Sequence, residues 1–199
     1  MEELSNKNKA NKFWVRSTHE CAYFAVFLAL VFASQFALSF VAGIEIVSLL
    51  FITYAYVFGI RRSVFASTAF SLLRNIFYGF YPQVLILYLI YYNVLSCVFG
   101  ALGKRDYKLI FIIIISIVCT IFFTLLDDVI TPLYFSFTLQ AAKAYFLASL
   151  VTMAIQCVCV GATVAVLFKP IKKVFRIAKK SLILYDESGL ITKNHSTPD

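Results

Sequence analysis

The sequence predicts an all-α membrane protein, a bundle of six transmembrane helices with the N- and C-termini both cytoplasmic. Three observations carry this. The 199-residue chain is 61% hydrophobic with a mean hydropathy of +0.86, well outside the range of soluble domains. Its few charges are clustered, which leaves uncharged runs over residues 21–44, 46–60, 75–103, 109–126 and 144–168. Several of these match the roughly 20 residues that a spanning helix needs. Finally, 16 of the 18 Lys and Arg residues fall on one side if successive spans alternate, and an excess of positive charge marks the cytoplasmic side. A β-barrel would show alternating segments of about 10 residues, and the sequence has none.

Residues 1–17 form a basic cytoplasmic tail with Lys7, Lys9, Lys12 and Arg16. The first span covers 18–39. It is too long for the core of a signal peptide and has no convincing cleavage site, so it reads as retained. The second, 45–59, opens at Glu45 and closes at Gly59, just before Arg61 and Arg62. The third, 63–77, is also short. This pair reads as two thin-spanning helices or as a re-entrant hairpin, which would lower the count to four. The fourth span, 82–103, starts at Pro82 and is followed by Lys104, Arg105 and Lys108. The fifth covers 108–126. Asp127 and Asp128 follow it and, with Pro132 just beyond, read as the start of a loop. The sixth, 138–168, is longer than the hydrocarbon core requires at about 1.5 Å per residue, so it projects from the membrane or begins in an ordered outer loop. Residues 18–168 thus form one membrane domain, and 169–199 a second basic cytoplasmic tail. Topology and contact with anionic lipid account for the net charge of +8, with no call on nucleic acid.

The chemistry-bearing residues are few. His19 and His195 are the only histidines, and topology keeps both away from the outer acids. No G-x-S-x-G, H-E-x-x-H or phosphate-binding glycine loop occurs, so the sequence points away from an enzyme and from an ATPase. It calls for no metal or other cofactor. The five cysteines lie in or beside spans without a C-x-x-C pair and read as small packing residues.

Two patterns are more informative. Ala25, Ala29 and Ala33, with Ala22 nearby, repeat every four residues along the first span. Small residues so spaced make a flat helix face that another helix can approach closely, within the bundle or on a partner. The stretch LLRNIFYGFYPQVLILYLIYYN, residues 72–93, breaks at Gly79 and Pro82 and crowds Tyr78, Tyr81 and Tyr88 with other aromatics next to Arg74 and Asn75. Some of these rings suit an interfacial belt. Aromatic walls with a few converging polar groups also describe a small-molecule site. On the outer side lie Glu45, Asp127, Asp128, Arg74 and Lys143, and ionisable groups at membrane depth are costly unless paired, wet or functional. The expected ligand site therefore comprises Glu45, Arg74, Asn75, Tyr78, Tyr81 and Tyr88, with Asp127, Asp128 and Lys143 across its mouth.

In the order of these features over residues 18–172, the chain resembles the substrate-binding S component of an energy-coupling factor (ECF) vitamin transporter. The alanine ladder comes first. An acid then opens GIEIVSLLFITYAYVFGIRRSVFAS, and Gly59 with basic residues closes it. RNIFYGFYP follows as Asn-x-x-x-Gly-x-x-Pro, and a glycine-containing fourth span then precedes a basic turn. The spacing of Asn75, Gly79 and Pro82 is most similar to cobalamin-type members, from which the chain departs by lacking a Trp-rich stretch after the proline, with Tyr81 and Tyr88 nearby instead. The resemblance implies a non-catalytic binding cup in a bacterial cell membrane. It would capture a vitamin from outside, a cobalamin-like one first, and deliver it inward with a transmembrane T subunit and two cytoplasmic ATPases. It also implies that Ala22, Ala25, Ala29 and Ala33 dock on the T subunit. The rival classes are a self-contained secondary carrier or channel-like oligomer, although no repeat relates the two halves, and a membrane enzyme or scaffold.

Overall fold

The computed structural model describes residues 18–37, 46–105 and 107–194, with side chains from Glu20 to Leu182. Glu45, the first acid of the expected site, lies outside the described residues. Six helices follow one another: α1 (Thr18–Ala37), α2 (Ile46–Phe58), α3 (Ile60–Tyr78), α4 (Pro82–Leu102), α5 (Leu109–Tyr134) and α6 (Leu139–Asn194). There is no strand among the described residues. Four stretches are long and apolar enough to cross a membrane: Glu20–Ala37, Pro82–Leu102, Leu109–Tyr134 and Leu139–Leu182. This is the architecture of a helical membrane protein.

α2 is the hub. It has 13 residues, about 20 Å at 1.5 Å per residue, and every residue from Ser48 to Val57 is buried. It packs against α1, α3, α4 and α6. An all-round apolar helix of this length sits stably inside protein, which explains why so short a run is continuously hydrophobic. Gly59 then reverses the chain alone, with φ +86 and ψ 173, a conformation that only glycine adopts readily. Phe51 bridges the resulting hairpin to Phe70, with ring centres 5.2 Å apart, and meets Tyr92 of α4 at 4.8 Å.

α3 and α4 pack closely because the facing residues are small. Ser63, Ala66, Ser67 and Ser71 are fully buried on α3, opposite Ser96 and Gly100 of α4. The α3 serines do not carry unsatisfied hydroxyls into the interface. Ser63 donates to the Gly59 carbonyl at 2.9 Å and Ser71 to the Ser67 carbonyl at 2.8 Å, while Ser67 donates across to Asn93 Oδ1 at 2.6 Å. α5 repeats the device with Ser116, Thr120 and Thr124, each donating to the carbonyl four residues back. In α1 the inward stripe is Phe27, Leu28 and Val31, at the spacing that places residues on one helix face. Phe27 stacks on Tyr54 at 4.0 Å.

Two expected boundaries move. The fifth helix does not end at 126. It runs on to Tyr134 with Pro132 in its last turn, so Asp127 and Asp128 are helical residues and not a loop. A proline in the last turn forfeits one hydrogen bond, and hydroxyls from Thr131 and α6 meet both oxygens of Asp127 and one of Asp128. The sixth helix does not stop where its apolar run ends at 168. It has 56 residues and passes through Pro170, because Phe168, Phe175 and Leu182 carry a buried stripe onward every seven residues. Basic residues thus share a helix that is still packed against the bundle.

Candidate functional site

The short connections α3–α4 and α5–α6 lie at one end of the bundle. The basic turns lie at the other, where Arg62 pairs with Glu20, Tyr56 Oη donates to the Arg105 carbonyl at 3.0 Å and Lys179 Nζ to the Val57 carbonyl at 2.6 Å. The expected site residues at the first end fall into two groups.

The first group centres on Arg74. Its guanidinium lies 4.2 Å from the ring centre of Tyr88 and 5.3 Å from that of Tyr78, a cation–π arrangement that partly offsets desolvation of the charge. Its Nε is buried without a hydrogen-bond partner, and no carboxylate among the described residues pairs with it. Behind Tyr88 stands a wall of rings: Tyr92 at 5.3 Å, Phe123 at 6.1 Å and Phe70 at 6.3 Å. Tyr91 and Tyr92 are core residues, whereas Phe77, Phe80 and Tyr81 are exposed and suit an interfacial belt.

Asn75 closes a turn. It is buried, its Nδ2 donates to the Ser71 carbonyl at 2.9 Å and its Oδ1 accepts from the Tyr81 backbone N–H at 3.3 Å. Both ends of the amide are therefore used to close the α3–α4 turn. Gly79 supplies the left-handed residue, φ +94, and Pro82 starts α4 at the one place where a missing N–H costs nothing. The Asn-x-x-x-Gly-x-x-Pro pattern is thus a turn that aims its neighbours. Tyr81 joins the site through its backbone and leaves its ring outside.

The second group ties α5 to α6. Asp127 accepts from Thr131 Oγ1 and from Tyr145 Oη, both at 2.7 Å, and Asp128 accepts from Ser149 Oγ at 2.7 Å. Asp128 Oδ1 remains buried and unpartnered. Tyr145, Ser149 and Thr131 were not legible as site residues, since hydroxyls in a membrane helix read as packing. Lys143 is exposed and joins neither group. No hydrogen bond or ion pair links the two groups among the described residues; they are two polar clusters at one end of the bundle. The Asp127–Tyr145 tie has a measurable signature. In a double-mutant cycle of Asp127→Asn and Tyr145→Phe, the thermal-melting losses should be less than additive by about 0.5–2 kcal/mol. Strict additivity would mean that the bond carries no stability.

Orphaned polar atoms gather at this end. Among the described residues, the buried side-chain atoms without a partner are Gln35 Oε1, Arg74 Nε, Gln83 Oε1, Asp128 Oδ1 and Ser96 Oγ. All but Ser96 belong to the halves of four different helices that lie toward the α3–α4 and α5–α6 connections. Such groups cost about 1–3 kcal/mol each when nothing meets them. A group that meets these atoms would relieve that cost. Gln35 and Gln83 carried no signal in the sequence, where each is a lone amide in an apolar run.

The alanine ladder turns outward. Ala22, Ala25, Ala29 and Ala33 are all exposed, while the opposite face of α1 holds the bundle. None of the four is buried against the other described helices. Compared with known proteins, the chain matches no family model, no curated protein and no solved structure.

Proposed function

We propose that this protein is the substrate-binding S component of an ECF-type importer, with six spans and cytoplasmic termini. It would capture a vitamin or related micronutrient, with a cobalamin-like ligand as the leading case, and deliver it inward with a T subunit and two ATPases. The observation that carries the reading is the set of orphaned polar atoms on α1, α3, α4 and α5 at one end of the bundle, beside the Arg74–Tyr88 wall. A ligand rich in amides offers donors to the glutamine and aspartate oxygens and an acceptor to Arg74, while the rings cover its apolar body. The uncovered ladder on α1 supports the partner half of the proposal. A surface that docks repeatedly gains from side chains that have no rotamers to reorder.

The test is purification from native membranes in mild detergent, with mass spectrometry of the retained small molecules and of the co-purifying chains. A vitamin with a membrane subunit and two ATPases is the expected result. Ala29→Trp should abolish assembly and leave the ligand on the solitary protein. Normal assembly and uptake with Trp at both Ala25 and Ala29 would reject the ladder as the docking face.

One observation favours a second reading. Adjacent acids on a membrane helix, one with an unmet oxygen, suit a carrier that couples transport to a proton or cation. Uptake by the lone protein in liposomes, lost in Asp128→Asn, would select it.

A further inference from the structure

We propose that the stretch of α6 from Lys169 to Lys180 is a binding site for anionic phospholipid at the basic end of the bundle; it stands independently of the transport reading. Six bases occur in this stretch, and the fold sorts them into two sets. Lys172 and Lys179 turn inward. The ammonium of Lys172 lies 4.3 Å from the Tyr56 ring centre, and Lys179 caps the Val57 carbonyl at 2.6 Å. Lys169, Lys173, Arg176 and Lys180 are all exposed. Their spacing of four, three and four residues places them within about 60° of one another around the helix. They form a single basic row opposite the buried Phe168, Phe175 and Leu182.

The row has an apolar companion. Val166, Val174 and Ile177 are 70%, 62% and 61% exposed, and the same helical geometry puts them on the strip alongside it. An acidic protein surface would use the charges but leave this strip uncovered. A headgroup layer meets both, with phosphates on the bases and acyl chains against the valines and the isoleucine.

The path of the helix agrees. Phe168 touches Tyr56 of α2 at 5.5 Å, Phe175 touches Phe27 of α1 at 5.9 Å, and Tyr23 of α1 donates to Ser181 at 3.3 Å. The segment therefore passes from α2 to α1 at the end where the basic turns lie. It is also covalently continuous with an apolar stretch long enough to span, which brings the headgroups within reach without a separate encounter.

The full chain in neutral detergent would be titrated with phosphatidylglycerol, phosphatidylcholine or soluble glycerol phosphate, and thermal melting followed. Phosphatidylglycerol should raise the midpoint well beyond phosphatidylcholine, and glycerol phosphate should do nothing. Each surface base contributes about fivefold to such binding. The combined variant Lys169→Gln, Lys173→Gln, Arg176→Gln, Lys180→Gln should therefore need at least tenfold more phosphatidylglycerol for the same shift. Lys104→Gln with Lys108→Gln, which lie off the row, should need a clearly smaller increase than the combined variant. Should the combined variant not fold, high salt must collapse the phosphatidylglycerol increment of the wild type, because exposed charges are screened. A combined variant that keeps the wild-type response, an equal loss in the Lys104 and Lys108 variant, or an equal response to glycerol phosphate or phosphatidylcholine overturns the proposal. So does an increment that persists in high salt.

Discussion

Gly103→Ala is expected to be among the most damaging single substitutions in the bundle. A Cβ at Gly103 would lie 2.0 Å from the Tyr56 carbonyl oxygen, 2.8 Å from its carbon and 3.0 Å from its Cα. All three are backbone atoms of the central helix, so no side chain can rotate away. Its φ of −62 is open to any residue, and space alone demands the glycine. One turn earlier, a Cβ at Gly100 would come within 2.6 Å of the Ile60 nitrogen and 2.7 Å of its Cα. The end of α4 is therefore wedged into the α2–Gly59–α3 reversal, and the Tyr56–Arg105 bond closes over it at 3.0 Å. Relief requires moving α4 away from α2 and α3 together. Overpacking of this kind typically costs about 1–3 kcal/mol and more where backbone must shift, so Gly103→Ala should sit at the upper end of that range and Gly103→Val should not assemble. Gly161→Ala is the internal contrast, because there a Cβ meets only the Ile117 side chain, at 3.5 Å and beyond. Detergent-solubilised melting of the three variants decides the matter. A Gly103→Ala midpoint within about 2 °C of wild type would show that α4 can slide without loss.

The wedge illustrates what the sequence could and could not disclose. Charge-free length identified α1, α4 and the start of α5, because the bilayer imposes a length that composition records directly. Gly59, Gly79 and Pro82 were legible as breaks for an equally local reason, the conformations that those residues allow. The end of α5 was not legible. Asp127, Asp128 and Pro132 are loop residues by propensity, and only hydroxyls 18 and 21 residues further on hold them in a helix. The length of α6 was hidden in the same way, since Pro170 and the first lysines look like an exit from the membrane while Phe175 is still buried under Phe27. Asn75 was legible as a residue of interest but not as a brace, because its partner is a backbone N–H six residues on. The direction in which the alanine ladder faces follows from the aromatics on the other side of α1, whose partners Phe51, Tyr54, Phe65 and Phe70 belong to α2 and α3. Pattern within one helix fixes a face, whereas contacts between helices fix where that face points.

Arg74→Gln should weaken binding of the retained ligand by about 10- to 150-fold, the equivalent of one charge-assisted hydrogen bond worth roughly 1.5–3 kcal/mol. The argument starts from cost. A guanidinium on a membrane-depth helix is tolerated when something meets its five N–H donors. Tyr88 and Tyr78 cover its faces at 4.2 and 5.3 Å, but rings accept no conventional hydrogen bond in the guanidinium plane, and Nε is left buried and unmet. An acceptor arriving in that plane gains a charged bond in a place already dry, with the side chain held by stacking. Little rotamer freedom is then lost on binding. Arg74→Lys tests the geometry separately from the charge. An ammonium cannot stack and fork at once, so it should recover only part of the affinity. Glu45 enters here as the competing partner from outside the described residues. If Glu45 serves only to neutralise Arg74, then Glu45→Gln and Arg74→Gln should each lower the melting midpoint and leave the affinity of the folded fraction untouched. If Arg74 meets the ligand, calorimetric titration of the folded Arg74→Gln protein shows the loss at a near-normal midpoint, and Tyr88→Leu, which removes the platform, shows a smaller loss in the same direction. Unchanged affinity in both folded variants would remove the Arg74 cluster from the binding site and leave the Asp127–Asp128 cluster as its remaining seat.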